Sequence, residues 1–408
     1  MPTPKSSRST STSTSLPRGG SKGSIADRAR TAIGLPNAVI PIYGTTLVDT
    51  LGYTLMIPLL PQLVRQYHAS DVIGGALLSI PAVASAIAAP VWGKLSDRLG
   101  RKTIIMASQV LSLAGYLLLA LSHALWLVLL SRVISGCGGG SLGAAESFIA
   151  DVTRPDQRER AYSLYGAVFG AAFVVGPVAS GALLKFGVAL PFFVAALLEV
   201  INLIFTWFCL PAKTNLEKKT SIRNSLRAAF APGVRRLLIR QFLFILAVVA
   251  YLANFALYAD HVLHMDPSKA SYLLAIAAVI GGVTLVFVVT PLSKRIGDAR
   301  LLQAGLATSV LAYVGLGFVS REGAFLAAMS LWAIGAAIAE PTLTTVLSNR
   351  AKGDERGAIM GISDSVNSIA MILGPTAGAA LVGGNARTLC LLPAVASAAA
   401  FALGFLRR

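Results

Sequence analysis

A chain of 408 residues, 55% hydrophobic and only 13% charged, with mean hydropathy +0.70, is excluded from the ordinary soluble globules. Its formal charge of +17 would suggest a nucleic-acid partner in a soluble chain. Here the Lys and Arg residues collect between long apolar runs, a distribution that retention of positive charge inside a membrane explains without nucleic acid.

Residues 1–37 crowd Ser and Thr at 3–15 and hold no acid before Asp27. Such a stretch cannot bury a core and is expected to be a disordered basic tail. It lacks the apolar stretch of a secretory signal, although its composition also suits an organellar transit peptide. Apolar runs follow at about 38–60, 72–92, 103–122, 125–149, 161–185 and 189–210. A basic connection at 211–237, with Lys213, Lys218, Lys219 and Arg223, suits a short amphipathic helix on the inner surface. Further runs lie at about 238–260, 270–292, 300–319, 324–348, 357–382 and 386–406. Each is long enough to cross a bilayer as a helix. The expected fold class is all-α and polytopic, with twelve transmembrane helices and both termini inside. The expected units are a six-helix bundle at 38–210, a linker at 211–237 and a second bundle at 238–408.

The two bundles are related. GPVASGAL at 176–183 is echoed by GPTAGAAL at 374–381, and DQR at 156–158 by DER at 354–356. LSDRLG at 95–100 is echoed by LSKRIG at 292–297 at nearly the same offset. A duplicated unit whose copies enter from one side generates two bundles that rock about a midplane site.

Between the second and third runs, GKLSDRLGRK at 93–102 is expected to form a very short charged loop, with Gly93 and Gly100 at tight turns. Gly93, Leu95, Asp97, Arg98, Gly100, Arg101 and Lys102 follow the loop 2–3 signature of the major facilitator superfamily. The chain resembles that family's twelve-span drug:proton antiporters, the multidrug and tetracycline exporters. In the second copy Lys294 replaces Asp97 and Asp298 replaces Arg101. The resemblance implies a conformational gate of Gly93, Asp97, Arg98, Gly100, Arg101 and Asp151. Asp97 would face the helix start near Gly357, and Arg101 would face Asp151, latching the outward-facing state. In the fifth span Gly166, Gly170, Gly176, Pro177 and Gly181 resemble the antiporter motif of exporters, with Ser180 in place of one glycine. Physically, small residues there permit close helix contact.

An ionisable group at the bilayer centre costs about 2.5–3.5 kcal/mol on insertion scales, so such groups face protein or water and mark ion or substrate paths. Asp49, Arg132, Glu146, Glu199, Glu340 and Asp364 are candidates by position. Asp49 lies midway along the first span, and an arginine as deep as Arg132 needs an acid, for which Asp49 is the natural partner. By resemblance, Asp49 and Arg132 serve proton coupling. Glu340 and Asp364 resemble acids of vesicular amine transporters. With Asp49 they would surround a cavity that favours cationic, lipophilic solutes. Glu146 could serve function or merely snorkel, and Glu199 and Asp260 read as ordinary span-end residues. Tyr53, Phe169, Phe173, Tyr251, Phe255 and Trp332 would line the cavity or pack the core.

Cys137, Cys209 and Cys390 fall far apart in apolar runs and suggest neither disulfide nor metal site. No phosphate-binding loop, nucleophile elbow or metal cluster is present in the sequence, so neither enzyme activity nor a cofactor is expected and energy must come from an ion gradient. The expectation is proton-coupled efflux of an amphiphilic, cationic small molecule. Protons would couple through Asp49, Arg132, Glu340 and Asp364, and the substrate cavity would include Asp49, Tyr53, Phe169, Glu340 and Asp364. The partners are then a small-molecule substrate, protons and the lipid bilayer, with the protein acting as a monomer. The cell membrane is the expected location and an organellar membrane the alternative. The rival functions are a uniporter or symporter for a sugar or organic anion, and an organellar amine transporter.

Overall fold

The computed structural model describes residues 39–139, 144–146, 148–149, 152–153, 155–210, 232–319, 321–350, 356–382 and 386–405. The expected tail and most of the expected linker lie outside these residues. Helix α1 (Val39–Met56) passes through a tight turn at Ile57–Leu59 into α2 (Leu60–Gln66). Pro58 and Pro61, which lack an amide proton, account for that interruption. Helix α3 (Asp71–Leu99) is capped by Ser70, whose Oγ accepts from the Ile73 amide at 3.4 Å. Then come α4 (Arg101–Ala120), α5 (Leu125–Cys137), α6 (Pro155–Leu183) and α7 (Leu190–Cys209).

The second half runs through α8 (Pro232–Leu263), α9 (Pro267–Thr284), a π-helical stretch at Leu285–Val289 and α10 (Thr290–Ile296). It continues with α11 (Asp298–Phe318), α12 (Glu322–Arg350), α13 (Arg356–Val382) and α14 (Leu391–Ala402). Among the described residues nine helices are long and apolar enough to cross a membrane, and α5 and the segment Arg387–Ala402 are shorter apolar helices. Phe208, Phe318 and Phe186, each 79–80% exposed, would destabilise a soluble protein but suit a lipid-facing surface. The molecule is a multi-pass membrane protein with a twelve-helix architecture.

The expected charged loop at 93–102 is not a loop. Helix α3 continues through Gly93 to Leu99, and α4 begins at Arg101, leaving Gly100 alone between them at φ +91°. Gly93 is therefore helical and does not turn the chain. The second copy repeats the device, with Gly297 at φ +80° between α10 and α11. A glycine holds this left-handed conformation without the Cβ penalty. The three-dimensional repeat also includes a pair that sequence comparison did not reveal. His68 and His264, after α2 and α8, both sit at positive φ (49° and 48°), a region histidine enters more readily than most residues.

Within the first bundle α1 packs on α6 and α7, and α4 packs on α5 and α7. In the second, α8 packs on α13 and α14, and α11 on α12 and α14. The bundles meet where α3 crosses α13 and α6 crosses α9. These crossings join outer halves of the helices. Gly75 of α3 faces Ala379 and Pro375 so closely that a Cβ there would lie 2.6 Å from the Pro375 carbonyl oxygen. Ser79 and Thr376 share a 2.8 Å hydrogen bond, and Gly181 of α6 abuts Ser271 and the Ser268 carbonyl of α9. Towards the inner side the helices part. A Cβ at Gly93, Gly166 or Gly170 would meet nothing within 4 Å. In the orientation expected from cation placement, the bundles are joined at their outer ends and separate at Gly93, Gly166 and Gly170.

Candidate functional site

Helix α7 is polar on the face that an aqueous protein would bury with apolar side chains. Glu199, Asn202 and Thr206 recur at helical spacing, and each is at most 1% exposed. The opposite face carries Leu197, Ile201 and Phe208, all well exposed. The buried stripe meets α1 and α4. Asn202 Nδ2 donates to Asp49 Oδ1 at 3.0 Å and to the Thr45 carbonyl at 3.4 Å. Thr45 and Thr206 hydroxyls lie 3.4 Å apart, and Gln109 Nε2 of α4 donates to Thr206 Oγ1 at 2.9 Å. Glu199 lies one turn before Asn202 on the same buried face, within electrostatic reach of Asp49. Two acids, two amides and two hydroxyls are therefore gathered in the interior of the first bundle. Glu199 Oε1, Asn202 Oδ1, Gln109 Oε1 and Thr50 Oγ1 retain unused hydrogen-bonding capacity among the described residues.

Arg132 is buried as expected, but its partner differs. Its Nη1 contacts Met56 Sδ at 3.0 Å, and the guanidinium carbon lies 5.9 Å from the Tyr116 ring centroid. No ion pair joins Arg132 to Asp49 among the described residues. Tyr116 stands between them, within electrostatic reach of Arg132, Glu199 and Asp49. The expected Asp49–Arg132 pair is thus corrected: the acid turns to α7, and the guanidinium to an aromatic face and a thioether. Gly52, one turn after Asp49, makes room for Tyr116. A Cβ there would clash with the phenol oxygen and lie 2.7 Å from Cζ.

The expected acids of the second bundle lie elsewhere. Glu340 of α12 lines a small cavity with Gln241, Phe244, Leu343, Thr344 and Asn367. Gln241 Nε2 donates to Ser363 Oγ at 2.6 Å and to Asn367 Oδ1 at 2.8 Å, which fixes one wall. Asp364, one turn earlier on α13, is exposed and within electrostatic reach of Glu146 of the first bundle. Tyr165 of α6 lies in turn within reach of both Glu146 and Asp49. Electrostatic reach links Asp49 with Glu199 within one bundle and Glu146 with Asp364 across the two, while Glu340 lies in its own cavity. Tyr53 is partly buried against the main core, and Phe169 pairs with Phe173 at 5.4 Å between ring centroids.

Of the gate residues, Arg101 is buried and its Nη1 donates to Ser96 Oγ at 2.9 Å, while Arg98 is exposed. The Asp97 side chain, Asp151 and the Gly357 contact lie outside the described residues. In the antiporter motif Gly166 and Gly170 face open space, whereas Gly176 packs on Thr54, with Pro177 buried beside it. Gly181 forms the contact with α9.

The model of the Major Facilitator Superfamily matches residues 42–262 and 243–408. The class C tetracycline resistance protein of Escherichia coli is 31% identical over 363 residues, covering 86% of this chain and 91% of that protein. Multidrug resistance protein 2 of Bacillus subtilis (strain 168) is 26% identical over 353 residues, covering 84% and 88%. Among solved structures, a bacterial homologue of the human lysosomal transporter Spinster, inward-facing and unoccupied, superposes with TM-score 0.74. It is 16% identical, with 94% of this chain and 95% of that one covered.

Proposed function

The chain belongs to the Major Facilitator Superfamily, and from that premise we propose that it is a proton-coupled exporter of amphiphilic, cationic small molecules, seated in the cell membrane. Rocking of the two bundles would expose a shared chamber to either side in turn. The observation that carries this reading is the arrangement of acids. Asp364 lies within electrostatic reach of Glu146 of the other bundle and Glu340 lines a small cavity, while Asp49 sits in a buried polar network with Asn202. Acids held in such surroundings attract organic cations and carry protons reversibly. The exporter relatives include tetracycline and multidrug resistance proteins, which favours a drug-like substrate.

Efflux would be driven by protons entering from outside as the substrate leaves. The test uses the full chain in proteoliposomes loaded with ethidium or tetracycline. Imposing an inward proton gradient should accelerate efflux at least ten-fold, and dissipating it should abolish that gain. Asp49→Asn should remove the acceleration while the protein still inserts. An unaltered gradient response in Asp49→Asn would refute the role of that acid.

A further inference from the structure

We propose that Glu199 is the proton-sharing partner of Asp49, so that these two carboxyls, rather than Asp49 and Arg132, form the deep proton site. This deepens the antiport reading and rests on it. A hydrogen bond between two carboxyls needs a proton on one of them, because an ionised carboxylate only accepts. Glu199 is 1% exposed, one turn from Asn202 on the same helix face and within electrostatic reach of Asp49, to which Asn202 donates at 3.0 Å; on this proposal the two carboxyls share such a bond. Two adjacent acids away from water do not both ionise readily. The pair therefore holds one proton and a single negative charge in the conformation open to the inside. Losing that proton leaves two like charges in contact, and gaining a second leaves none.

The surroundings are consistent with this assignment. Among the described residues, the charged and titratable groups within reach of the pair include Tyr116 from α4, Arg132 from α5 beyond that phenol, and Tyr165 from α6. Among the described residues none of these supplies a cation in contact with the pair; Arg132 is held on Met56 and Tyr116. Glu199 Oε1 is buried without a hydrogen-bond partner among the described residues, which leaves it able to accept when the proton moves. Tyr165 lies within electrostatic reach of both Glu146 and Asp49 and so links the pair to the acid that faces the second bundle's Asp364 electrostatically.

The test compares wild type, Glu199→Gln, Asp49→Asn and the double variant in tetracycline-loaded proteoliposomes. Each single variant should slow gradient-driven efflux at least ten-fold. The double variant should be no slower than the worse single one, because both act on one proton. The pH dependence of efflux should flatten in Glu199→Gln and return in Glu199→Asp, which a packing role would not produce. Multiplying losses in the double variant would overturn the pairing. Infrared spectra add an independent reading: wild type should show a protonated carboxyl band that Asp49→Asn removes or shifts. An unchanged band would overturn the proposal even if Glu199→Gln failed to accumulate. Should wild type export tetracycline without any response to the gradient, the antiport reading falls; should it respond while Glu199→Gln matches it, only the pairing falls.

Discussion

Arg65 at the end of α2 reaches Asp260 at the end of α8 with one guanidinium nitrogen, 2.6 and 2.7 Å from the two carboxylate oxygens. The pair ties the outer ends of the two bundles together, and His261 lies 3.8 Å from Asp71 beside it. Asp260, an ordinary span-end residue in the sequence, is one jaw of an outer clasp.

Removing the clasp should favour opening to the outside. The Arg65 side chain is 53% exposed, so the pair is worth about 0–1 kcal/mol, equivalent to at most about a five-fold shift in population. Asp260→Asn should raise the labelling rate of a cysteine placed at Ser79 by an external thiol reagent within that range. High salt should narrow the difference between variant and wild type. Equal rates at low salt would assign closure to the helix crossings alone.

Two glycines of one motif should behave oppositely. A Cβ at Gly176 would lie 2.8 Å from Thr54 Cβ, with the Thr54 hydroxyl closer still, whereas a Cβ at Gly166 meets open space. Gly176→Ala should destabilise the purified protein by about 1–3 kcal/mol through overpacking. Gly166→Ala should be neutral or stabilising by up to about 1 kcal/mol through helix propensity. Thermal unfolding in detergent measures both, and equal losses would contradict the inner separation of the helices.

The aromatic seat of Arg132 can be tested at Tyr116. Tyr116→Phe keeps the ring and should retain most stability. Tyr116→Leu should lose about 2 kcal/mol from the desolvated cation–π contact, as well as packing beside Gly52. If the two variants unfold at the same temperature, the ring face does not hold the guanidinium.

Glu340 should discriminate by substrate charge. Glu340→Gln removes the acid from its cavity while preserving shape and hydrogen bonding. Efflux of the ethidium cation should fall at least ten-fold more than efflux of zwitterionic tetracycline. Equal losses would show that the residue serves coupling or structure instead of recognising charge.

Asp49 and Arg132 show the limit of linear reading. Both residues announce themselves as ionisable groups in apolar runs, and sequence placed each on an interior face. Pairing them followed from opposite charge alone, but Tyr116 intervenes and Asn202 claims the acid. Glu199 taken singly reads as a span-end residue. The signal was present as Glu199, Asn202 and Thr206, a polar stripe at helical spacing in an apolar span, which in lipid marks the face turned towards protein.

Hydropathy and cation placement determined the helix count and topology, because backbone polar groups must be satisfied within a span and positive charge stays inside. The internal echoes determined that the chain is a duplicated unit. Which side chain Asp49 meets, where the bundles join, and the single-glycine turn at Gly100 were decided only by the fold. Those features depend on the rotation of each helix about its axis and on contacts between residues more than a hundred positions apart, and no local pattern encodes either.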